Sequence, residues 1–281
     1  MIIIESIKEM KDYRNKMMFE NKTIGFVPTM GYLHDGHLSL AKKAKEENDI
    51  VVMSIFVNPI QFGPNEDFER YPRDFERDKN LAQSVGVDVI FYPNAKEMYP
   101  NGFKTNVSVK EITDIMCGKS RPGHFDGVAT VVLKLFNIVK PTKAYFGKKD
   151  AQQLAVIRQM VNDLNLDVEI VGCEIVREHD GLAMSSRNTY LNEKQRKIAP
   201  ILYKSLLTAK DMILQGEKNS EVIKNKMSEM ILEKEETRID YIEIVDYNSF
   251  EIVDEIKGKV LISLAVFVGN TRLIDNITVE V

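Results

Sequence analysis

Tryptophan is absent and cysteine is scarce: only Cys117 and Cys173 occur in 281 residues. Two thiols so far apart supply neither a disulfide framework nor a zinc cage, so reduced thiols in a cytoplasmic protein are expected. Basic charge is also short. Thirty-eight Lys and Arg against forty-two Asp and Glu leave a net charge of −4, whereas a dedicated nucleic-acid binder carries a basic surplus. No apolar run approaches the roughly 18 residues that cross a bilayer. The run Met1 to Ile4 meets Glu5 with no basic leader, so neither a membrane partner nor a secretory signal is expected. Repeats of fixed period and low-complexity tracts are missing too. What remains is ordinary globular material, 44% hydrophobic and 28% charged, and that mixture excludes disordered, collagen-like and coiled-coil chains. At about 150 residues per domain, the length holds one large domain or two smaller ones.

The first 175 residues alternate β-rich runs with amphipathic ones: Thr23–Val27 then Leu38–Asn48, Ile50–Val57 then Asp74–Gly86, Val87–Tyr92, and Val128–Val139 before Ala144–Phe146. Such alternation predicts crossover units and a mainly parallel sheet. Ile50 to Val57 is almost continuously apolar, as a central strand covered on both faces must be. Beyond Arg187 the texture changes. Apolar positions at helical spacing predict one helix over Glu193–Gln215, ended by Gly216. A second helix is expected over Ser220–Glu235, followed by β-rich runs at Ile239–Val245, Val260–Val268 and Leu273–Val279. The expectation is an α/β fold: a Rossmann-like, doubly wound, mainly parallel sheet over 1–188 and a smaller α+β domain over 189–281, with the boundary near 186–192.

The densest chemistry lies in Pro28-Thr29-Met30-Gly31-Tyr32-Leu33-His34-Asp35-Gly36-His37. A strand runs into a glycine turn and then a helix, which aims backbone N–H groups and the positive helix end at the sheet's carboxyl edge, where anions bind. His34 and His37 are three apart and share a side of the first helical turn. They could donate to one phosphate chain, form a fragment of a zinc site, or pack as a structural pair. The spacing alone leaves all three open. Two further stretches are weaker singly. Gly147-Lys148-Lys149-Asp150 ends a strand-like run with cations, and Met184-Ser185-Ser186-Arg187 places two hydroxyls before a guanidinium fork. Asn58, Gln61 and Gln153 follow strands and are candidates to orient a small polar substrate. Arg121 and His124 read equally as site residues or as loop polars.

Taken together, these stretches resemble the pantoate–β-alanine ligase (pantothenate synthetase) family of the nucleotidyltransferase superfamily, over nearly the whole chain. The marks are Pro-Thr-Met-Gly-x-Leu-His-x-Gly-His at 28–37, Phe-Val-Asn-Pro-x-Gln-Phe at 56–62, Arg-Pro-Gly-His-Phe at 121–125, Phe-Gly-Lys-Lys-Asp-x-Gln-Gln at 146–153 and Met-Ser-Ser-Arg-Asn at 184–188. All of them occurring in order is more specific than the His-x-Gly-His signature, which other adenylyl- and cytidylyltransferases share. The resemblance implies that ATP and pantoate give pantoyl adenylate and pyrophosphate, and that β-alanine then attacks the adenylate to give pantothenate and AMP.

By position, the resemblance implies that Met30 through His37, Gly147 through Asp150, Val176 and Met184 through Arg187 bind ATP. His34 and His37 would meet the phosphates, with His37 the proton donor, and Lys149 and Arg187 would join them as catalytic cations. Gln61 and Gln153 would hold pantoate, Gln61 would also meet β-alanine, Asn58 would help orient the triphosphate, and Arg121 and His124 would stand near the entrance. Magnesium is expected with the triphosphate, with Asp78 at a family position associated with the ion. Its neighbour is Arg77, where some relatives carry a second acid. A homodimer is implied, with no nucleic-acid partner. The alternative is another small-acid adenylyltransferase or a cytidylyltransferase of the same superfamily.

Overall fold

The computed structural model describes residues 1–64 and 66–281. In chain order the elements are β1 (Ile2–Ile4), α1 (Ile7–Phe19), β2 (Ile24–Thr29), α2 (Asp35–Glu47), β3 (Ile50–Ile55), α3 (Phe75–Ser84), β4 (Val89–Phe91), α4 (Ala95–Met98), α5 (Met116–Ser120), α6 (His124–Val139), β5 (Lys143–Gly147), α7 (Ala151–Asp163) and β6 (Glu169–Cys173). There follow α8 (Glu193–Ile198), α9 (Ile201–Leu214), α10 (Ser220–Leu232), β7 (Thr237–Asp246), β8 (Lys259–Val268) and β9 (Thr271–Glu280). The chain divides into two compact units. One comprises Met1–Thr113, Arg121–Lys148 and Gln152–Ile175, and the other Asp114–Ser120, Lys149–Ala151 and Val176–Val281. The second unit therefore starts its main run at Val176 and borrows two short pieces from earlier in the chain.

The first unit is the expected doubly wound sheet, with six parallel strands in the order β1-β4-β3-β2-β5-β6. Val27, Val51, Met53, Ile55 and Ile90 pack on one face with Leu38, Ala41 and Ala44 of α2 and Ala82 of α3. On the other face the Phe26 ring meets Phe136 of α6 edge-on. Helix α6 is apolar around most of its surface and buried along most of its length, which is what a helix enclosed by other elements requires. The winding reverses between β2 and β5, so their carboxyl ends flank the topological switch point where open α/β sheets bind ligands. The sheet is already parted there. β2 pairs with β3 along its whole length but with β5 only at Gly25 and Phe26. Pro28, which has no N–H to donate, stands in the stretch beyond.

The second unit is an antiparallel meander, β7-β8-β9, covered by α9 and α10. Its core joins Leu202, Leu206, Ala209 and Ile213 of α9 and Ile223, Met227 and Ile231 of α10 to Val260, Ile262, Leu264 and Val266 of β8. The single helix expected over Glu193–Gln215 is two, α8 and α9, parted at Ala199-Pro200. Proline has no N–H for the intrahelical ladder and suits a first turn, so the apolar periodicity runs on while the helix restarts. Both cysteines are free thiols.

Candidate functional site

The turn after β2 is built by residues distant in sequence. Thr29 donates its hydroxyl to the Ser54 carbonyl (2.8 Å) and accepts the Gly31 N–H (3.1 Å). Gly31 has φ +85°, and a Cβ there would stand 2.9 Å from both Asp78 Oδ2 and Ile55 Cγ2, so the turn admits only glycine. Tyr32 follows at φ 50°. Asp78, on α3, accepts the N–H groups of Tyr32 and Leu33 at 2.7 Å each, and the Arg77 guanidinium lies over the Tyr32 ring at 4.8 Å. Burial pushes the Asp78 carboxyl up, while the two N–H bonds pull it back. At the position matched to magnesium, each carboxylate oxygen thus accepts one backbone N–H of the turn after β2. Among the described residues, no three His, Cys, Asp or Glu side chains gather as a metal site.

His34 and His37 cap α2 reciprocally. His34 Nδ1 accepts the Gly36 N–H (3.2 Å), and His37 Nδ1 accepts the His34 N–H (3.4 Å). The rings lie 4.0 Å apart, tilted by 37°. With Nδ1 accepting in both, each neutral ring carries its proton on Nε2, which is the donating atom. Both imidazoles therefore stand on the positive end of a helix dipole with Nε2–H as donor, a geometry suited to anions.

Gln61 is the second focus, and four residues orient it. Asn58 is buried and fully committed: its Nδ2 donates to Gln61 Oε1 (3.0 Å) and to the Gly127 carbonyl (3.1 Å), while its Oδ1 accepts the Tyr99 hydroxyl (2.7 Å). Burial pushes the Tyr99 phenol up, so it stays a donor at neutral pH. Since Oε1 of Gln61 is taken, its amide nitrogen is the donating end, found 3.2 Å from Met30 Sδ. Arg121 and His124, expected near the entrance, support this residue. Arg121 forks onto Glu66 (2.6 and 2.5 Å) and donates to His124 Nε2 (3.0 Å), so His124 carries its proton on Nδ1 and gives it to the Gln61 carbonyl (2.9 Å). Burial works to raise the Glu66 carboxyl, but the Arg121 fork outweighs it and holds the group below its ordinary value. Tyr99, Glu66 and Gly127 carry no motif. Only packing reveals them.

Beyond β5, Lys148 is ion-paired with Glu174. Gln153 is half-buried on α7, and its neighbour Gln152 is buried, donating to the Ile112 carbonyl (2.8 Å).

In the second unit, Lys149 Nζ lies 3.8 Å from Asp150. The segment from Val176 to Arg187 folds back on itself: Met184 N–H meets the Val176 carbonyl (3.0 Å) and Glu178 N–H the Leu182 carbonyl (2.8 Å), with Gly181 at φ +92°. Ser185 caps the single turn Ser186–Tyr190 by accepting the Arg187 N–H (3.3 Å), and Ser186 is buried. Arg196 clamps Glu178 and Asp180 from α8, each at 2.6 Å. The base of this loop is thus tied by backbone hydrogen bonds and by the Arg196 ion pairs.

Comparison with known proteins shows the family of the chain. The family model for pantoate-beta-alanine ligase matches residues 2–278. The pantothenate synthetase of Caldicellulosiruptor saccharolyticus is 70% identical over the whole of both chains, and that of Acetivibrio thermocellus 58% identical, again over the whole of both. Among solved structures, pantothenate synthetase from Thermus thermophilus superposes with a TM-score of 0.93 at 46% identity, covering 99% of each chain. Pantoate-beta-alanine ligase from Francisella tularensis, complexed with beta-gamma ATP and beta-alanine, superposes with a TM-score of 0.81 at 40% identity, covering 99% of this chain and 97% of its own.

Proposed function

Because this chain belongs to the pantoate–β-alanine ligase family, whose members condense pantoate with β-alanine at the expense of ATP, we propose that it works through a pantoyl adenylate formed at the carboxyl edge of the parallel sheet. A carboxylate is a poor acylating agent because its leaving group would be oxide. Attack of the pantoate carboxylate on the α-phosphorus expels pyrophosphate and leaves a mixed anhydride, from which the β-alanine amine displaces AMP. Protein groups serve this by aligning carboxylate and phosphorus and by offsetting negative charge as it builds. The observation that carries the reading is the reciprocal histidine cap: two Nε2–H donors held on a helix N-terminus beside a parted sheet edge.

In this scheme His34 and His37 give hydrogen bonds from Nε2–H to the phosphates, with His37 on the pyrophosphate leaving group. The backbone of Met30–His37 and Gly147–Lys148 lines the nucleotide. Lys149, Asp150, Val176 and Met184–Arg187 serve the same ATP, Lys149 at the α-phosphate and Arg187 on the triphosphate. Gln61 and Gln153 take pantoate, while Asn58, Arg121 and His124 keep Gln61 in place. Among the described residues no three His, Cys, Asp or Glu side chains gather around an ion, so magnesium is placed on the triphosphate as its counter-charge, and no step is assigned to it. A homodimer and a cytoplasmic location complete the proposal. Among the described residues no helix is long and apolar enough to cross a membrane.

Purified protein is expected to release AMP and pyrophosphate on turnover only when pantoate and β-alanine are both present. AMP formation that ignores pantoate would rule the reading out. Gln153→Ala is expected to weaken pantoate binding about fivefold, the scale of one neutral hydrogen bond. Titration calorimetry with pantoate reads it, and an unchanged dissociation constant removes Gln153 from the pocket.

A further inference from the structure

Strand β9 carries an anomaly. Its inward positions read Leu273, Asp275, Ile277 and Val279, so a carboxylate interrupts the apolar stripe that faces the core of the second unit. Asp275 is 2% exposed. Arg177 compensates it with two bonds, at 2.6 and 3.0 Å, and the same guanidinium donates to the Gly181 carbonyl (3.0 Å) while lying 3.7 Å over the Tyr203 ring. The next residue, Asn276, points to the opposite face, as consecutive strand residues do. Its Nδ2 donates to the Lys149 carbonyl at 2.8 Å. One dipeptide thus grips two segments that are far apart in sequence: the base of the Val176–Arg187 loop on one face and the backbone of Lys149 on the other.

Stability does not explain this arrangement. A buried ion pair adds little over an apolar pair of the same volume, because desolvation of both charges offsets their attraction. It does confer fixed direction, since a guanidinium fork, a carboxylate and a stacked ring admit one geometry. We infer that Asp275 and Asn276 are positioning residues for adenylate formation, setting through Arg177 the loop that carries Arg187 and through the Lys149 carbonyl the ammonium beside the α-phosphate. The inference rests on the proposed function, which assigns Lys149 and Arg187 to ATP.

The test separates geometry from stability. In the double variant Arg177→Met with Asp275→Leu, the ion pair is replaced by apolar side chains. Its thermal midpoint is expected to equal or exceed that of the wild type, while the single-turnover rate of pantoyl adenylate formation falls about tenfold, a modest share of the loss that misplacement by an ångström can bring. Amide formation from supplied pantoyl adenylate and β-alanine, which needs no β- or γ-phosphate, is expected to keep its rate. If the double variant does not fold, Asn276→Ala carries the test. It should slow adenylation about tenfold in the wild-type background and have no effect in a Lys149→Ala background, because groups acting through one another are not additive. Wild-type adenylation in the double variant and in Asn276→Ala, or equal losses in both half-reactions of the double variant, would overturn the inference. Failure of the wild type itself to form pantoyl adenylate and pyrophosphate from ATP and pantoate would instead overturn the proposed function.

Discussion

His37→Ala is expected to lower the single-turnover rate of adenylate formation by about 10²-fold or more, the scale of removing one preorganised donor from a developing charge. The ring does two things at once. Its Nδ1 accepts the His34 N–H and closes the cap of α2, while the N–H thereby fixed on Nε2 is, in the proposed scheme, the hydrogen-bond donor to the departing pyrophosphate. Loss of the cap alone lowers stability by about 1 kcal/mol and leaves the chemistry untouched. His37→Gln separates the two effects, since glutamine at the third helical position closes a capping box but carries no rigid ring N–H at the place of the imidazole Nε2. Its thermal midpoint should return towards the wild-type value while its adenylation rate stays low. Wild-type rapid-quench rates in His37→Ala would remove the imidazole from the reaction.

Gly127→Ala is expected to weaken pantoate binding about thirtyfold, against what helix propensity alone suggests. Within a helix, alanine is favoured over glycine by about 1 kcal/mol, and Gly127 lies inside α6. A Cβ there, however, would stand 2.5 Å from the Ile60 carbonyl oxygen and 2.6 Å from Gln61 Cα. These are backbone atoms that cannot turn aside, so the clash, about 1–3 kcal/mol on the scale of overpacked cores, outweighs the gain in propensity. Relief comes from shifting Pro59–Gln61 away from α6. That shift breaks the Asn58 bond to the Gly127 carbonyl and the His124 bond to the Gln61 carbonyl. A displacement of this size degrades alignment steeply. ATP affinity should change little, because the α2 cap makes no use of Gly127. Equilibrium binding of each substrate reads the two separately, and unaltered pantoate affinity would show that the Gln61 platform does not hold that substrate.

The sheet was legible because burial on both faces writes itself as continuous apolar runs, as in Ile50–Ile55. β6, Glu169–Cys173, was not, since its residues are partly exposed and carry no such run. The restart at Pro200 was visible as a proline, but the unbroken apolar spacing around it favoured one helix. The histidine pair could be read because a capping turn is local: every group in it lies within four residues. Gln61 could be read as a candidate and its support could not, since Asn58 and His124, which bond it, are held by Tyr99 and Arg121 only after β3, α4 and α6 have packed. Asp78 could be matched by position, but its part in holding the turn could not, since the Tyr32 and Leu33 N–H groups lie 46 and 45 residues away. Asp275 left a trace that could have been followed, a charge at an inward position of an alternating strand, but its partner Arg177 sits 98 residues away.

The most direct measurement follows the carboxylate oxygen of pantoate. With pantoate carrying heavy oxygen in its carboxylate, ATP and β-alanine, the adenylate route delivers one labelled oxygen to the phosphate of AMP and leaves pyrophosphate unlabelled. Mass spectrometry of the products should show that transfer. Label appearing in inorganic phosphate with ADP as co-product, or AMP formed with none of the label, would contradict activation of pantoate as its adenylate.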